Sequence, residues 1–344
     1  MPDSIKVAVI TNAEGAHLSA YFSALRDCPE ASSVVLCDPS GLSFESAGKT
    51  LGKKLTKTYK NRDEMLRAEK PGMALVSLEA AIAPPEIDAA LEAGCHVFAE
   101  KPSCVRAEDF AKLTRKADAK HLHLMLALAN RSNPEIIEAK KIIRTGKLGR
   151  IYGLEMHIIA DQTRLTSPSY HKQWFAKKSR GGGGHLTWIG IHWLDLAMYV
   201  TGSRIEQVAG FTGNVGGQPI DVEDSAAVAL KFDDGFFGTL TSGYYLQRGY
   251  NSHVKIWGSH GWLHLEPMED VPLTWSSSKE KSAEPIQYTG PKTPRAYSPF
   301  IRSAVRASAG LEDAPIDSAD SLHVIRTVFA CYDAAETGRT QKVE

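Results

Sequence analysis

A chain of 344 residues exceeds one typical core, so two domains are expected. Apolar residues at 43% and charged residues at 23% are ordinary globular values, which exclude disorder and fibre as classes. The 40 Lys and Arg balance 40 Asp and Glu, so net charge gives no reason to expect nucleic acid or an anionic membrane as partner. The opening segment, MPDSIKVAVI, carries an apolar run too short for a secretion signal, and an acid precedes it. No apolar run approaches membrane-spanning length. Cys28, Cys37, Cys95, Cys104 and Cys331 are scattered and form no C-x-x-C pair, which fits buried reduced thiols and a cytoplasmic protein.

Ile5–Ile10 (IKVAVI) is a short β-branched run followed by a small polar segment, TNAEGAH, and a helical pattern, LSAYFSALRDC. Val34–Cys37 is a second such run, ending in Asp38 and a Pro-Ser-Gly turn. Ala74–Leu78 is a third, followed by a helical pattern through Ile87–Ala93 that stops at Gly94. His96–Ala99 is a fourth, ending at Glu100-Lys101-Pro102; a helix over Ala107–Ala119 and a strand near Leu122–Ala127 complete the alternation. Strand and helix in turn, with short loops, predict a parallel sheet covered by helices on both faces. The fold class expected for residues 1–127 is therefore α/β, a Rossmann-type nucleotide domain.

After about Asn130 the rhythm changes. A helix runs Pro134–Thr145 and ends at Gly146. Long candidate strands follow at Ile151–Ala160, Ile205–Asn214, Ala226–Phe232, Phe236–Leu246, Val254–Trp257 and Trp262–Glu266. Asp-Asp-Gly and Gly-Ser-His-Gly between neighbouring strands are hairpin signals. Ser276–Pro299, rich in Ser, Lys, Glu and Pro, reads as a solvated loop, and Ser318–Thr337 as a final helix. Residues 128–344 are thus expected to form an α+β domain with a large, mostly antiparallel open sheet, for substrate binding and oligomerisation. An open sheet leaves a face needing cover, so a homodimer or homotetramer is expected through it.

In doubly wound folds the ligand sits beyond the carboxyl ends of the strands. The residues at those ends are Thr11–His17, Asp38, Ser77, Leu78, Glu79, Glu100, Lys101 and Pro102. A carboxylate after the second strand suits the ribose hydroxyls of an adenosine and repels a 2′-phosphate, so Asp38 favours NAD over NADP; the competing role is an Asx turn before Pro39. The first loop departs from the dinucleotide fingerprint: Thr11, Ala13 and Ala16 occupy the glycine positions, with Gly15 beside the last. Thr and Ala are small, so the amides of Thr11, Asn12, Ala13, Gly15 and Ala16 can still face a pyrophosphate.

The stretch Gly181–Asp195, GGGGHLTWIGIHWLD, opens with a run that disfavours regular structure and turns helical directly after it. His185, Trp188, His192 and Asp195 are spaced for one helix face, as for a helix lining a cleft. Tyr170, His171 and Gln173 upstream are candidates to hydrogen-bond a polyol; a solvated loop is the alternative. For His185 a polar helix-start role competes with lining the cleft, for Trp188 packing competes with substrate contact, and Asp195 has the alternative of orienting a partner. His121 and His123 lie in a strand pattern on one face, but without a further ligand at suitable spacing no metal is expected.

Three segments, AGCHVFAEKP, ANRSNPEIIEAKKIIRTGKLGRIYG and GGGGHLTWIGIHWLDLAMYVTG, in this order, resemble the Gfo/Idh/MocA family of nicotinamide-dependent sugar and cyclitol oxidoreductases. The resemblance covers essentially the whole chain. It places the family's active-site lysine on Lys101, its acid/base histidine on His192 and a carboxylate one turn beyond on Asp195. It also puts Trp174 near the nicotinamide, and it adds Arg131, in the crossover segment, to the cofactor-contacting set. It implies NAD as cofactor and a small sugar or polyol as substrate. Hydride removal from a secondary alcohol needs a base for the hydroxyl proton, which a histidine supplies near neutrality, and an ammonium to stabilise the alkoxide. Lys101 and His192 are expected to supply these from opposite walls of one cleft. Two departures stand out: the substituted first loop, and Trp188 where the family commonly has aspartate. Trp188 motivates an alternative, redox-neutral glycoside cleavage through transient oxidation and elimination. The first loop motivates another, a non-catalytic sugar- or nucleotide-sensing protein.

Overall fold

The computed structural model describes residues 4–344; the first three residues of the expected nucleotide domain lie outside the described residues. In chain order the first part holds β1 (Ile5–Thr11), α1 (Leu18–Asp27), β2 (Ala31–Cys37), α2 (Phe44–Leu51), β3 (Leu55–Tyr59), α3 (Arg62–Glu69), β4 (Met73–Ser77), α4 (Ala83–Glu92), β5 (His96–Ala99), α5 (Ala107–Ala119) and β6 (Leu124–Leu126). The rest holds α6 (Pro134–Arg144), β7 (Ile151–Asp161), α7 (Ile191–Thr201), β8 (Ile205–Gly213), β9 (Ser225–Phe232), β10 (Phe237–Leu246), β11 (Asn251–Gly258), β12 (Gly261–Leu265), β13 (Leu273–Ser277), β14 (Ile286–Gln287), α8 (Tyr297–Ser308), α9 (Ser318–Thr337) and β15 (Gln341–Lys342). The chain divides into two compact units: one comprises residues up to Ser132 with Ser179–Gly182 and Pro294–Leu322, the other Asn133–Lys178, Gly183–Thr293 and His323–Glu344.

The first unit is built on a six-stranded parallel sheet in the order β3-β2-β1-β4-β5-β6. Helices cover both faces, so β1, β2 and β4 read as continuous apolar runs; Val7, Ala8, Val9, Val34, Val35, Leu36, Ala74 and Leu75 are all fully buried. The order reverses between β1 and β4, which places the ligand crevice outside their carboxyl ends. Three elements here exceed the sequence reading. β3 is a short edge strand of polar alternation, LTKTY, and α2 and α3 are eight residues each. The largest difference is α8, which belongs to this unit although an uninterrupted second domain from residue 128 was expected. Phe300, Ile301, Ala304 and Val305 form its buried face against α1, and Arg302 and Arg306 pair with Glu30 at 2.9 and 2.8 Å.

The second unit carries a nine-stranded sheet, β14-β13-β12-β11-β7-β10-β9-β8-β15, antiparallel except between β7 and β10. The two expected hairpins are present, turning at Asp233-Asp234-Gly235 and Ser259-His260. Leu154, Met156 and Ile158 are buried on one side of β7, and α7 packs on β7 and on α6. On the other side two cross-strand rows run over the sheet: Phe211, Ala227, Thr241, His157 and His253; and Phe237, Gly153, Trp257 and Trp262. Phe211, Phe237 and Trp257 there are 79%, 64% and 39% exposed. Part of the expected solvated loop is instead β13 and β14. His121 and His123 precede β6 rather than lie in it: His121 sits in a turn at φ 56°, and the His123 ring stacks on His96 at 4.7 Å. The five cysteines are buried and free. Among the described residues no helix is long and apolar enough to cross a membrane, and no cluster of three or more His, Cys, Asp or Glu is placed to hold a metal.

Candidate active site

A cavity of about 270 Å³ opens at the carboxyl ends of β1 and β2. Ile10, Thr11 and Asn12 line it from β1, Cys37 and Pro39 from β2, and Leu78 from the loop after β4. The sequence reading missed its remaining wall, which includes Lys60, Asn61 and Arg62 after β3; an edge strand of five polar-alternating residues gave no signal for it. Arg62 is paired with Asp63 at 2.9 Å and Glu86 at 2.6 Å.

The glycine-poor first loop is tied down from below. Thr11, 1% exposed, donates through Oγ1 to the Ser77 carbonyl at 2.8 Å, and Ser77 Oγ donates to the Ala16 carbonyl at 2.7 Å. A Cβ on Gly15 would stand 2.1 Å from Thr11 Oγ1 and 2.8 Å from the Ser77 carbonyl, so the one glycine retained is the one that must pass close. Asn12 Oδ1 accepts the Glu14 amide at 2.9 Å, while Ala13 and Glu14 are exposed. Glu79 is not open at the strand end: Arg180 bonds it and also reaches Glu14 at 2.5 Å. Arg131, 6% exposed, pairs with Asp320 at 3.2 Å.

Asp38 is placed differently from the expectation of a carboxylate turned to the ribose. It is fully buried; Oδ1 accepts from the Ser40 amide and hydroxyl at 2.9 and 2.7 Å, and Oδ2 from the Ser43 amide and hydroxyl at 2.9 and 2.7 Å. The Asx-turn role is thus realised, extended to Ser43 at the start of α2. Burial pushes its carboxyl up, and the Ser40 and Ser43 donors outweigh this, leaving it below the ordinary aspartate value. Asp38→Ala strands the buried Ser43 amide and is expected to cost about 1–3 kcal/mol of stability in the cofactor-free protein. An unchanged unfolding midpoint in a denaturant titration would contradict that structural role.

At the end of β5 stand Glu100 and Lys101, 1% and 2% exposed. Tyr21 donates to Glu100 Oε2, and His17 Nδ1 lies 3.0 Å from the same oxygen; Tyr297 stands edge-on to Tyr21 with ring centroids 5.0 Å apart. Burial raises the Glu100 carboxyl, but the His17 bond and the charges of His17 and Lys101 prevail and hold it below the ordinary glutamate value. Lys101 is thus buried next in sequence to a buried carboxylate that its charge helps to keep ionised. Tyr21 and Tyr297 carried no motif and were missed; His17 was singled out only as the end of the first strand-end loop.

In the second unit Gly183 and Gly184 lead into a π turn, Leu186–Gly190, that continues as α7. Its i→i+5 pattern shifts the positions before Gly190 relative to those after, so the even spacing read as one face is broken. His185 is fully buried, its Nδ1 2.6 Å from Ser242 Oγ and its ring edge-on to Tyr244 at 4.4 Å. In this structure the ring is packed in the core, against Ser242 and Tyr244. Tyr170 is 8% exposed and its hydroxyl meets that of Tyr244 at 3.2 Å; His171 Nε2 bonds the Leu165 carbonyl. Trp174 is 1% exposed and meets Trp188 edge-on at 5.3 Å; Trp188 also tilts over Phe175 at 4.8 Å. Trp188 and His192 are half-buried and Asp195 is 1% exposed.

Comparison with known proteins agrees with this architecture. Residues 5–128 match the oxidoreductase family's NAD-binding Rossmann fold, and residues 136–264 match the GFO/IDH/MocA C-terminal domain. An uncharacterized oxidoreductase of Schizosaccharomyces pombe is 31% identical over 174 residues, 51% of this chain and 46% of that protein. Levoglucosan dehydrogenase of Pseudarthrobacter phenanthrenivorans is 27% identical over 232 residues, 60% of this chain and 59% of that protein. The matched part thus spans about half the length of these relatives. The structure of a levoglucosan dehydrogenase in complex with NADH and levoglucosan covers 98% of this chain and 99% of that one, at TM-score 0.87 and 18% identity, which shows a shared fold. The cavity beyond β1 and β2, lined by Thr11 and Asn12 of the first loop, lies where a doubly wound sheet places its ligand crevice. The chain belongs to the GFO/IDH/MocA family of oxidoreductases, with an NAD-binding Rossmann domain over residues 5–128.

Proposed function

We propose that this chain oxidises a secondary hydroxyl of a sugar, cyclitol or glycoside with NAD. The observation that carries the reading is Lys101, a lysine only 2% exposed at the carboxyl end of a Rossmann strand, beside the ionised Glu100. An ammonium is withdrawn from water only where a charge partner or a developing anion repays its desolvation. Bound NAD supplies the hydride acceptor. The first-loop amides face the pyrophosphate, and Asp38 shapes the ribose rim through the Ser40–Ser43 turn rather than by offering a free oxygen. Lys101 stabilises negative charge on the reacting oxygen, and His192 accepts the hydroxyl proton. Trp188 offers apolar ring surface to a sugar face, while Tyr170, His185 and Asp195 support the site from within the fold.

Screening sugars, inositols and glycosides with NAD, reading reduced cofactor and bond cleavage together, tests this. Net NADH supports the dehydrogenase reading. Cleavage without net NADH selects the redox-neutral alternative, and no NAD binding rejects both. Trp188 is held by Trp174 and Phe175, so it has a packing role as well as the one that motivated that alternative.

The exposed Phe211, Phe237 and Trp257 on the open sheet face support a homo-oligomer covering that face. Phe211→Asp with Phe237→Asp is expected to lower the mass measured by light scattering to that of a monomer; a monomeric parent protein would refute the proposal.

A further inference from the structure

The sequence places the glycine run directly ahead of a helix expected to line a cleft. The structure gives its last two members a neighbour from outside that helix. Glu223, 8% exposed and just ahead of β9, accepts the Gly184 amide on Oε2 at 2.7 Å and the Leu186 amide on Oε1 at 2.8 Å. The Tyr332 hydroxyl, from α9, donates to Oε1 at 2.9 Å and lies 2.6 Å from Thr187 Oγ1. The His185 amide donates to the Glu223 carbonyl at 3.1 Å. A Cβ on Gly184 would stand 1.9 Å from that carbonyl oxygen, and one on Gly183 2.1 Å from Tyr332 Oη. The two glycines are therefore shaped by what lies behind the loop.

The amides of Gly184 and Leu186 belong to the opening turn of the helical segment that becomes α7, where donors lack intrahelical acceptors. A carboxylate there also meets the positive end of the helix dipole. We propose that Glu223 is a positioning residue: an N-cap delivered from outside the helix, which with Tyr332 fixes the glycine loop, the π turn and hence the approach of His192. For its catalytic consequence this rests on the reading of His192 given above; the capping itself does not.

Burial pushes the Glu223 carboxyl up to about 7, against the Leu186 amide, the Tyr332 hydroxyl and the Gly184 amide, which pull it down. The titratable group facing the carboxylate is Tyr332. His185 turns its ring to Ser242, and Asp224 faces the amides of Val215 and Gly216. A carboxyl raised in the folded state stabilises fully below its ordinary value of 4.5 and loses that contribution as pH rises through about 7. Protonation removes one acceptor from the cap, so the loop changes its hold near neutrality.

The test uses the full chain without cofactor. Tryptophan fluorescence, to which Trp174 and Trp188 contribute with the chain's four other tryptophans, and thermal unfolding are followed between about pH 5.5 and 8.5, a window spanning the shifted value, and the step assigned to the cap is the one that Glu223→Gln removes. Wild type is expected to show a one-proton step near pH 7. Glu223→Gln should abolish that step, and Tyr332→Phe, which leaves the carboxyl in place and removes a bond that lowers it, should move it upward. With substrate, Glu223→Gln should lower kcat about tenfold or more with NAD affinity nearly unchanged, as for a displaced catalytic group. A step that persists in Glu223→Gln, or that stays put in Tyr332→Phe, overturns the proposal. If wild type turns over no substrate, the function reading fails while the fluorescence arm still decides the cap.

Discussion

Lys101→Met is expected to lower kcat/KM by about 10³-fold while changing NAD affinity by less than about threefold, the range for loss of one charge that acts on the reacting oxygen. Methionine keeps the length and apolar stem of lysine, so the change isolates the ammonium. Lys101 is 2% exposed beside Glu100, whose ionised state depends on burial being outweighed by His17 and by Lys101 itself. Removing the ammonium takes away one of these supports, so the Glu100 carboxyl should rise toward its ordinary value or beyond it. Circular dichroism and a urea midpoint separate lost catalysis from lost fold. Equal losses in kcat/KM and NAD affinity would mean that Lys101 holds the cofactor and does not act on the reacting oxygen. Activity within about twofold of wild type would remove it from the chemistry altogether.

His192→Ala should lower kcat by about 10²–10⁴-fold, the usual contribution of a positioned general base. The half-buried position of His192 on α7 leaves room, once the ring is removed, for a small base from solution. Added imidazole is therefore expected to restore part of kcat in His192→Ala, with the recovery saturating, and to do nothing for Lys101→Met. No recovery at any imidazole concentration, together with a kcat near that of wild type, would show that His192 carries no proton. The contrast between the two variants divides the oxygen-stabilising role from the proton-accepting role, which a loss of activity in each alone does not do.

The parallel sheet was legible because the inner parts of β1, β2, β4 and β5 are buried on both faces and read as short apolar runs. The hairpins were legible because their turns carry glycine at the expected places. What escaped was marginal locally and is held by tertiary contacts. α8 sits after a Ser-, Lys- and Pro-rich stretch, and its apolar positions Phe300, Ile301, Ala304 and Val305 become a helix face only when α1 is there to bury them. β3 is an edge strand whose side chains are mostly outside the core.

The same division runs through the site. The strand end that carries Lys101 was legible from the run before EKP, whereas the burial of its side chain was not. Asp38 was correctly singled out as a strand-end carboxylate, but which donors it takes depends on Ser40 and Ser43, two and five residues further on, and no strand pattern decides between ribose and turn. His185 and His192 look alike in sequence. One is bonded to Ser242 inside the core and the other is half-buried, because the π turn between them breaks the 3.6-residue rhythm. Glu223 lies 39 residues from Gly184, and its role as a cap exists only once β9 and the glycine loop meet.

The most direct test of hydride removal from a sugar carbon follows the atom itself. A polyol or glycoside that binds, deuterated at each ring carbon in turn, is incubated with the enzyme and NAD, and the recovered nicotinamide is examined by mass spectrometry. Deuterium in the cofactor from one ring position, absent with Lys101→Met and His192→Ala, is the result this account predicts. A bound substrate that is turned over with no deuterium ever reaching the nicotinamide would contradict it.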